Sequence, residues 1–130
     1  MFLRQSSSGK MESMIGAKSV IEGNIMLEGT VRIDGRIKGS VNADVVILGE
    51  KGAIAGDLTV KSAIIGGRVD GNVQALEFVE IKPTGKLFGD IYSRRLSVAE
   101  GGIFEGRSHV YRDDDSDKTI DFRTQETTSS

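Results

Sequence analysis

The side chains able to do chemistry are few and poorly placed for it. His109 is the one histidine and there is no cysteine, so neither a two-histidine metal site nor a thiolate site can form. A Ser–His–Asp triad is conceivable on composition, but nothing in the spacing positions its members. A lone histidine this far along the chain reads as a surface residue. Gly9-Lys10 and Gly85-Lys86 lack the upstream glycine and the following hydroxyl of a phosphate-binding loop. The carboxylates are scattered, with no sign of a paired general acid and base. The densest acidic run, Asp113-Asp-Asp-Ser-Asp117, lacks the glycine turn and closing glutamate of an EF-hand loop, and reads as a solvated tail. The expectation is a chain that is not an enzyme, needs no cofactor and binds no nucleotide.

The elements that carry these residues are set by composition. At 130 residues the chain has room for one domain. Hydrophobic residues make up 38% but aromatics only 5%, and tryptophan is absent, so the core is aliphatic. There are 17 Gly against 1 Pro. Glycine with this much Ile and Val suits short strands joined by tight corners, not collagen or a linker. Charge is uneven: residues 14–111 hold equal numbers of basic and acidic side chains, whereas 112–130 are acidic. A neutral middle with no basic stripe argues against nucleic acid. No run approaches the ~18 apolar residues of a membrane-spanning helix. The first ten residues lack an apolar stretch of signal-peptide length, so the expected location is the cytoplasm.

A five-residue pattern recurs: apolar, any, Gly, small polar or charged, apolar. It reads Ile21-Glu-Gly-Asn-Ile25, Ile37-Lys-Gly-Ser-Val41, Ile54-Ala-Gly-Asp-Leu58, Val69-Asp-Gly-Asn-Val73 and Leu87-Phe-Gly-Asp-Ile91. A decayed copy, Phe104-Glu-Gly-Arg-Ser108, closes the series. The glycines, Gly23, Gly39, Gly56, Gly71, Gly89 and Gly106, are spaced by 16, 17, 15, 18 and 17 residues. Helical repeats need roughly 33–47 residues, so this period is too short for one. It suits one coil of a β-helix, three short strands with tight corners. Stacking at ~4.8 Å per coil makes a rod of about six coils, roughly 30 Å long. The expected fold is all-β, with almost no helix: one β-helical domain over residues 14–111, flanked by disordered polar tails at 1–13 and 112–130.

Such a rod has two ends, each with unpaired strand edges and an open slice of core. The tails show no helical pattern that would cap them. Phe104 stands where Ile, Val or Leu stands in the other copies, and with Ile103 it would lie at the terminal face. Burying a phenylalanine removes ~150–250 Å² from water, worth about 4–6 kcal/mol before entropic costs. Stacking of one end on another follows, and stacking at both ends makes a filament. The alternative is that Phe104 plugs its own end and the rod is a non-polymerising adaptor. A left-handed β-helix acyltransferase is the enzyme rival, because Gly23, Gly29 and Gly35 recur every six residues. That register fails after Gly35, since the next glycines are Gly39, Gly49, Gly52 and Gly56, and one terminal histidine suits no acyl-CoA cleft.

The coils, together with Ile33-Asp-Gly-Arg-Ile37-Lys-Gly, Ile81-Lys-Pro-Thr-Gly85 and Glu100-Gly-Gly-Ile-Phe-Glu-Gly106, resemble the bactofilins over residues 14–108. The family often has alanine where Gly102 stands, and a less polar residue where Ser108 stands. The resemblance implies a right-handed β-helix and a homopolymer assembled without nucleotide. It also implies non-polar filaments, joined head to head and tail to tail, with Phe104 at one junction. Partners implied are cell-wall synthesis or remodelling proteins. The opposite junction is expected near Ile15, Val20 and Ile21. Met1, Phe2, Leu3 and Arg4, with Lys10, look like the short peptide by which many family members bind inner-membrane lipids, which would place filaments at the cytoplasmic face of that membrane.

Overall fold

A computed structural model describes the backbone of residues 12–111 and 117–122. All of it that is regular is strand, and among the described residues there is no helix. The first coil holds β1 (Glu12–Ile15), β2 (Val20–Glu22) and β3 (Ile25–Met26). The second holds β4 (Thr30–Ile33), β5 (Arg36–Lys38) and β6 (Val41–Asn42). In the third, β7 (Val45–Leu48) and β8 (Ala53–Ala55) are followed by β9 (Leu58–Ile65), which runs round a corner into the fourth coil. Next come β10 (Arg68–Asp70) and β11 (Val73–Ile81), which turns the same corner. The fifth coil continues with β12 (Lys86–Phe88) and β13 (Ile91–Ser93), and the sixth has β14 (Arg95–Val98) and β15 (Ile103–Tyr111). A last strand, β16 (Asp117–Phe122), stands outside the repeat.

Pairing between coils is parallel throughout. The register shows why the period was visible. On one face Ile15, Ile33, Leu48, Ile65, Ile81 and Val98 lie side by side. On the second face the column is Ile21, Ile37, Ile54, Val69, Leu87 and Phe104. On the third it is Ile25, Val41, Leu58, Val73, Ile91 and Ser108. These columns, with a further one of Val31, Val46, Ala63, Val79 and Leu96 on the first face and the corner residues Ala43, Val60 and Ala75, build the core. Successive side chains of a strand point to opposite faces, so each short strand turns one or two aliphatic residues inward and the rest to water.

The corner between the second and third faces accounts for the rest of the motif. Its glycines have φ from +123° to +155°, which side-chain-bearing residues rarely adopt. They also stack: a Cβ on Gly39 would overlap the carbonyl oxygen of Gly23, and one on Gly56 that of Gly39. The small polar residue that follows makes a ladder. Asn24 Oδ1 accepts from the Ser40 hydroxyl at 2.8 Å. Asp57 Oδ1 accepts from the Asn72 backbone N–H at 3.0 Å, and Asn72 Oδ1 from that of Asp90 at 3.0 Å. Asn24, Asp57, Asn72 and Asp90 thus accept from the next coil's backbone where the ladder of strand bonds is interrupted.

Two expectations change. The solenoid starts at Glu12, two residues before the boundary set by the apolar pattern, because β1 pairs with β4 from Glu12 onward. Part of the polar carboxyl-terminal segment is ordered: Asp117–Phe122 forms β16 and pairs antiparallel with β15. Its sequence, Asp-Lys-Thr-Ile-Asp-Phe, lacks the corner glycine, so the repeat does not reveal it.

Candidate assembly interface

The two ends of the rod are built differently. At the first coil, β1, β2 and β3 pair on one side only among the described residues, with β4, β5 and β6. The opposite edges present a row of backbone N–H and C=O groups at the end of the rod. Behind them Ile15 and Ile25 are buried, whereas Ile21 and Leu27 are only partly covered and pack on the core as its rim. The outward positions of this coil are also unusual. Met14, Val20 and Met26 are 69%, 62% and 57% exposed. The coil beneath has Arg32, Arg36 and Asn42 in the same register positions. The first coil thus carries exposed apolar side chains on all three flanks, where the second coil carries Arg32, Arg36 and Asn42 and the third carries the half-buried Ile47 and Ala53 with Thr59. Exposed apolar clusters of this kind mark contact surfaces.

At the last coil the core is closed. Phe104 pairs in register with Leu87 and is 0% exposed. Leu96, Val98 and Ser108 are buried too. Ile103, its neighbour at the expected interface, is half-buried. The terminal face that the sequence places at Phe104 is therefore out of water within one chain, and the ring plugs its own coil. Ser108 ends a column of Ile, Val and Leu, and its Oγ is buried without a hydrogen-bond partner.

Of the residues named from sequence, the structure brings Ile15, Val20 and Ile21 together at the first coil. It places Phe104 and Ile103 at the opposite end. Met1, Phe2, Leu3, Arg4 and Lys10 lie outside the described residues, as does the run Asp113–Asp115. Met14, Met26 and Leu27 were missed. For Met14 and Met26 the signal is an apolar residue where the next coil has Arg32 and Asn42; Leu27 stands where the next coil has the buried Ala43 and carries no such signal. His109 stacks on Tyr92, ring centroids 4.3 Å apart, on the outside of the third face. No group of three His, Cys, Asp or Glu able to hold a metal occurs among the described residues. Arg68 pairs with Asp70 at 2.9 Å and covers the Phe88 ring at 4.7 Å. The hydrogen bond and charge of Asp70 raise the Arg68 pKa further. Exposed pairs of this kind contribute little to stability.

Comparison with known proteins agrees with this architecture. Residues 13–109 match the family model described as bactofilin, polymer-forming cytoskeletal. The chain belongs to the bactofilin family. It is 33% identical over 95 residues to bactofilin BacO of Myxococcus xanthus (strain DK1622), covering 72% of this chain and 75% of BacO. It is 30% identical over 103 residues to bactofilin BacP of the same organism, covering 78% of this chain. This bactofilin spans 43% of the length of BacP. Among solved structures it is similar to a cryo-EM reconstruction of Thermus thermophilus bactofilin double helical filaments. The TM-score is 0.69 at 27% identity, covering 74% of this chain and 96% of that one. The bactofilins are polymer-forming cytoskeletal proteins, and this chain shares their fold, a parallel β-solenoid of about six coils.

Proposed function

We propose that this bactofilin is a cytoskeletal scaffold that assembles end to end, without nucleotide, into non-polar filaments. First coils join first coils and last coils join last coils. The observation that carries this reading is the first coil, with its unpaired strand edges, a partly covered rim of Ile21 and Leu27, and apolar flanks at Met14, Val20 and Met26. A solenoid edge left open is a template for another strand. Two copies related by a two-fold axis satisfy one another's edges with the same residues. The fold stacks identical units along one axis, so a junction continues within the polymer what the chain does within itself. Pelleting from nucleotide-free buffer tests this directly. Material that sediments as filaments, with no change on adding ATP or GTP, is the expected result. A chain that stays monomeric at high concentration leaves a capped adaptor as the better account.

The filaments are proposed to lie at the cytoplasmic face of the inner membrane and to position cell-wall synthesis or remodelling proteins. Support comes from Met1-Phe-Leu-Arg4 and Lys10. Insertion of Phe2 and Leu3 offers about a few kcal/mol, and each cation near an anionic surface adds ~1 kcal/mol. One peptide binds marginally, but a filament displaying many binds by avidity. Flotation with phosphatidylethanolamine–phosphatidylglycerol vesicles should carry wild-type filaments upward and leave Phe2→Glu filaments behind. Equal flotation of both would remove the peptide from the account.

A further inference from the structure

The strand that the repeat does not contain gives the two ends different standing. Every pairing between coils is parallel, as the winding of a solenoid requires, whereas β15 pairs with β16 antiparallel. The register is continuous from Gly106 opposite Phe122 to Tyr111 opposite Asp117. β16 therefore occupies the outer edge of the last coil on the third face. No seventh coil can begin there, because an antiparallel neighbour reverses the direction in which the winding would continue. Ser108, on the strand that β16 flanks, is buried, while β14 and residues 103–105 on the other two faces pair on one side only among the described residues. The first coil has no counterpart of β16 among the described residues, and Ile21 and Leu27 in it are only partly covered.

We infer that β16 is an intramolecular cap that competes with a second copy of this chain for the edge of β15, so that joining of last coils requires its release. The inference rests on the end-to-end reading above. A two-fold axis normal to the third face would bring the β15 of a second copy alongside this β15 in antiparallel orientation. β16 already presents that orientation, and one strand edge accepts one neighbour. The two arrangements exclude each other. Where the cap is closed, the end is incompetent, and its apparent affinity falls in proportion to the open fraction. First-coil junctions, with nothing to release, form first. The intermediate is then a dimer joined at its first coils with both last coils capped. Release of β16 converts these dimers into a growing filament.

The chain has no cysteine, so a disulfide can be placed at will. Arg107 lies opposite Asp121 in the register, and the full-length double variant Arg107→Cys, Asp121→Cys would tie the cap shut when oxidised. Analytical ultracentrifugation and electron microscopy should find the oxidised variant as dimers and the reduced variant as filaments. Full-length Ile120→Pro, which breaks β16 by removing a strand donor, should form filaments at a lower concentration than wild type. If the cap is closed about nine-tenths of the time, the shift is about tenfold. Circular dichroism of Ile120→Pro checks that the solenoid is intact. If it is not, the locked variant alone decides. Filaments from the oxidised, intramolecularly linked variant overturn the cap while leaving end-to-end assembly in place. Disulfides formed between chains would show that β16 is exchanged between copies, which also overturns an intramolecular cap. Failure of wild type and both variants to assemble under any condition overturns the end-to-end reading itself.

Discussion

Gly56→Ala is expected to destabilise the solenoid by about 3 kcal/mol or more, although it adds a single methyl group. Gly56 has a φ of +154°, and a non-glycine residue held in such a region costs on the order of 1–3 kcal/mol. The second cost is steric. The new Cβ would overlap the carbonyl oxygen of Gly39 and crowd its carbonyl carbon. These are backbone atoms of the adjacent coil, and the bonds between coils hold them in place: the Gly39 N–H donates to the Ala55 carbonyl at 3.0 Å. Moving them apart breaks the stack that defines the fold. Gly71 is seated on Gly56 in the same way, so the disturbance passes to both sides. Gly16→Ala is the control. A Cβ there meets nothing within 4 Å, and its melting temperature should match wild type. Thermal melts by circular dichroism compare the two, and equal melting temperatures would mean that the glycine column does not set the spacing of coils.

Ile21→Arg is expected to abolish long filaments while leaving a folded, β-rich protein. Ile21 begins the column that continues through Ile37 and Ile54, yet it is only partly covered. In a monomer an arginine there can reach water past the open end. In a junction between first coils it cannot, and a buried charge without a partner costs several kcal/mol. The two-fold axis doubles the penalty by setting two such charges near each other. A loss of about 100-fold in junction affinity corresponds to about 2.7 kcal/mol, well inside that range. Sedimentation velocity should show short particles in place of polymer, and Ile21→Leu should assemble as wild type does. Undiminished filament length in Ile21→Arg would exclude the first coil as a junction. Phe104 is the less informative position, because its ring is fully buried in its own chain and a charge there disrupts the last coil before any contact is tested.

Much of this architecture was legible in the residues because a solenoid repeats its physics every coil. The inward columns, the corner glycines and the polar residue after each glycine recur at one spacing, so six weak signals add to one strong one. Features that occur once were harder to see. At the corner after Ala75 the register shifts by one residue relative to Val60, so Leu76 and Glu77 stand where Lys61 stands alone, and Leu76 is left exposed. The edge-pairing of β16 depends on a chain reversal that no period announces. The spacing marks Phe104 as an inward residue of the last coil, as its burial shows, but whether a terminal ring faces a partner or is covered by its own chain depends on how the chain closes around it, which the repeat does not encode. The apolar flanks at Met14 and Met26 were readable only once the register had matched them with Arg32 and Asn42.

The central claim is that like ends meet. Cryo-electron microscopy of filaments grown without nucleotide tests it most directly, at a resolution that shows strand direction. The account predicts rods that alternate in direction, first coil against first coil and last coil against last coil, with the ~4.8 Å strand spacing continuing through each junction. Rods all pointing the same way, first coil seated on last coil, would contradict it.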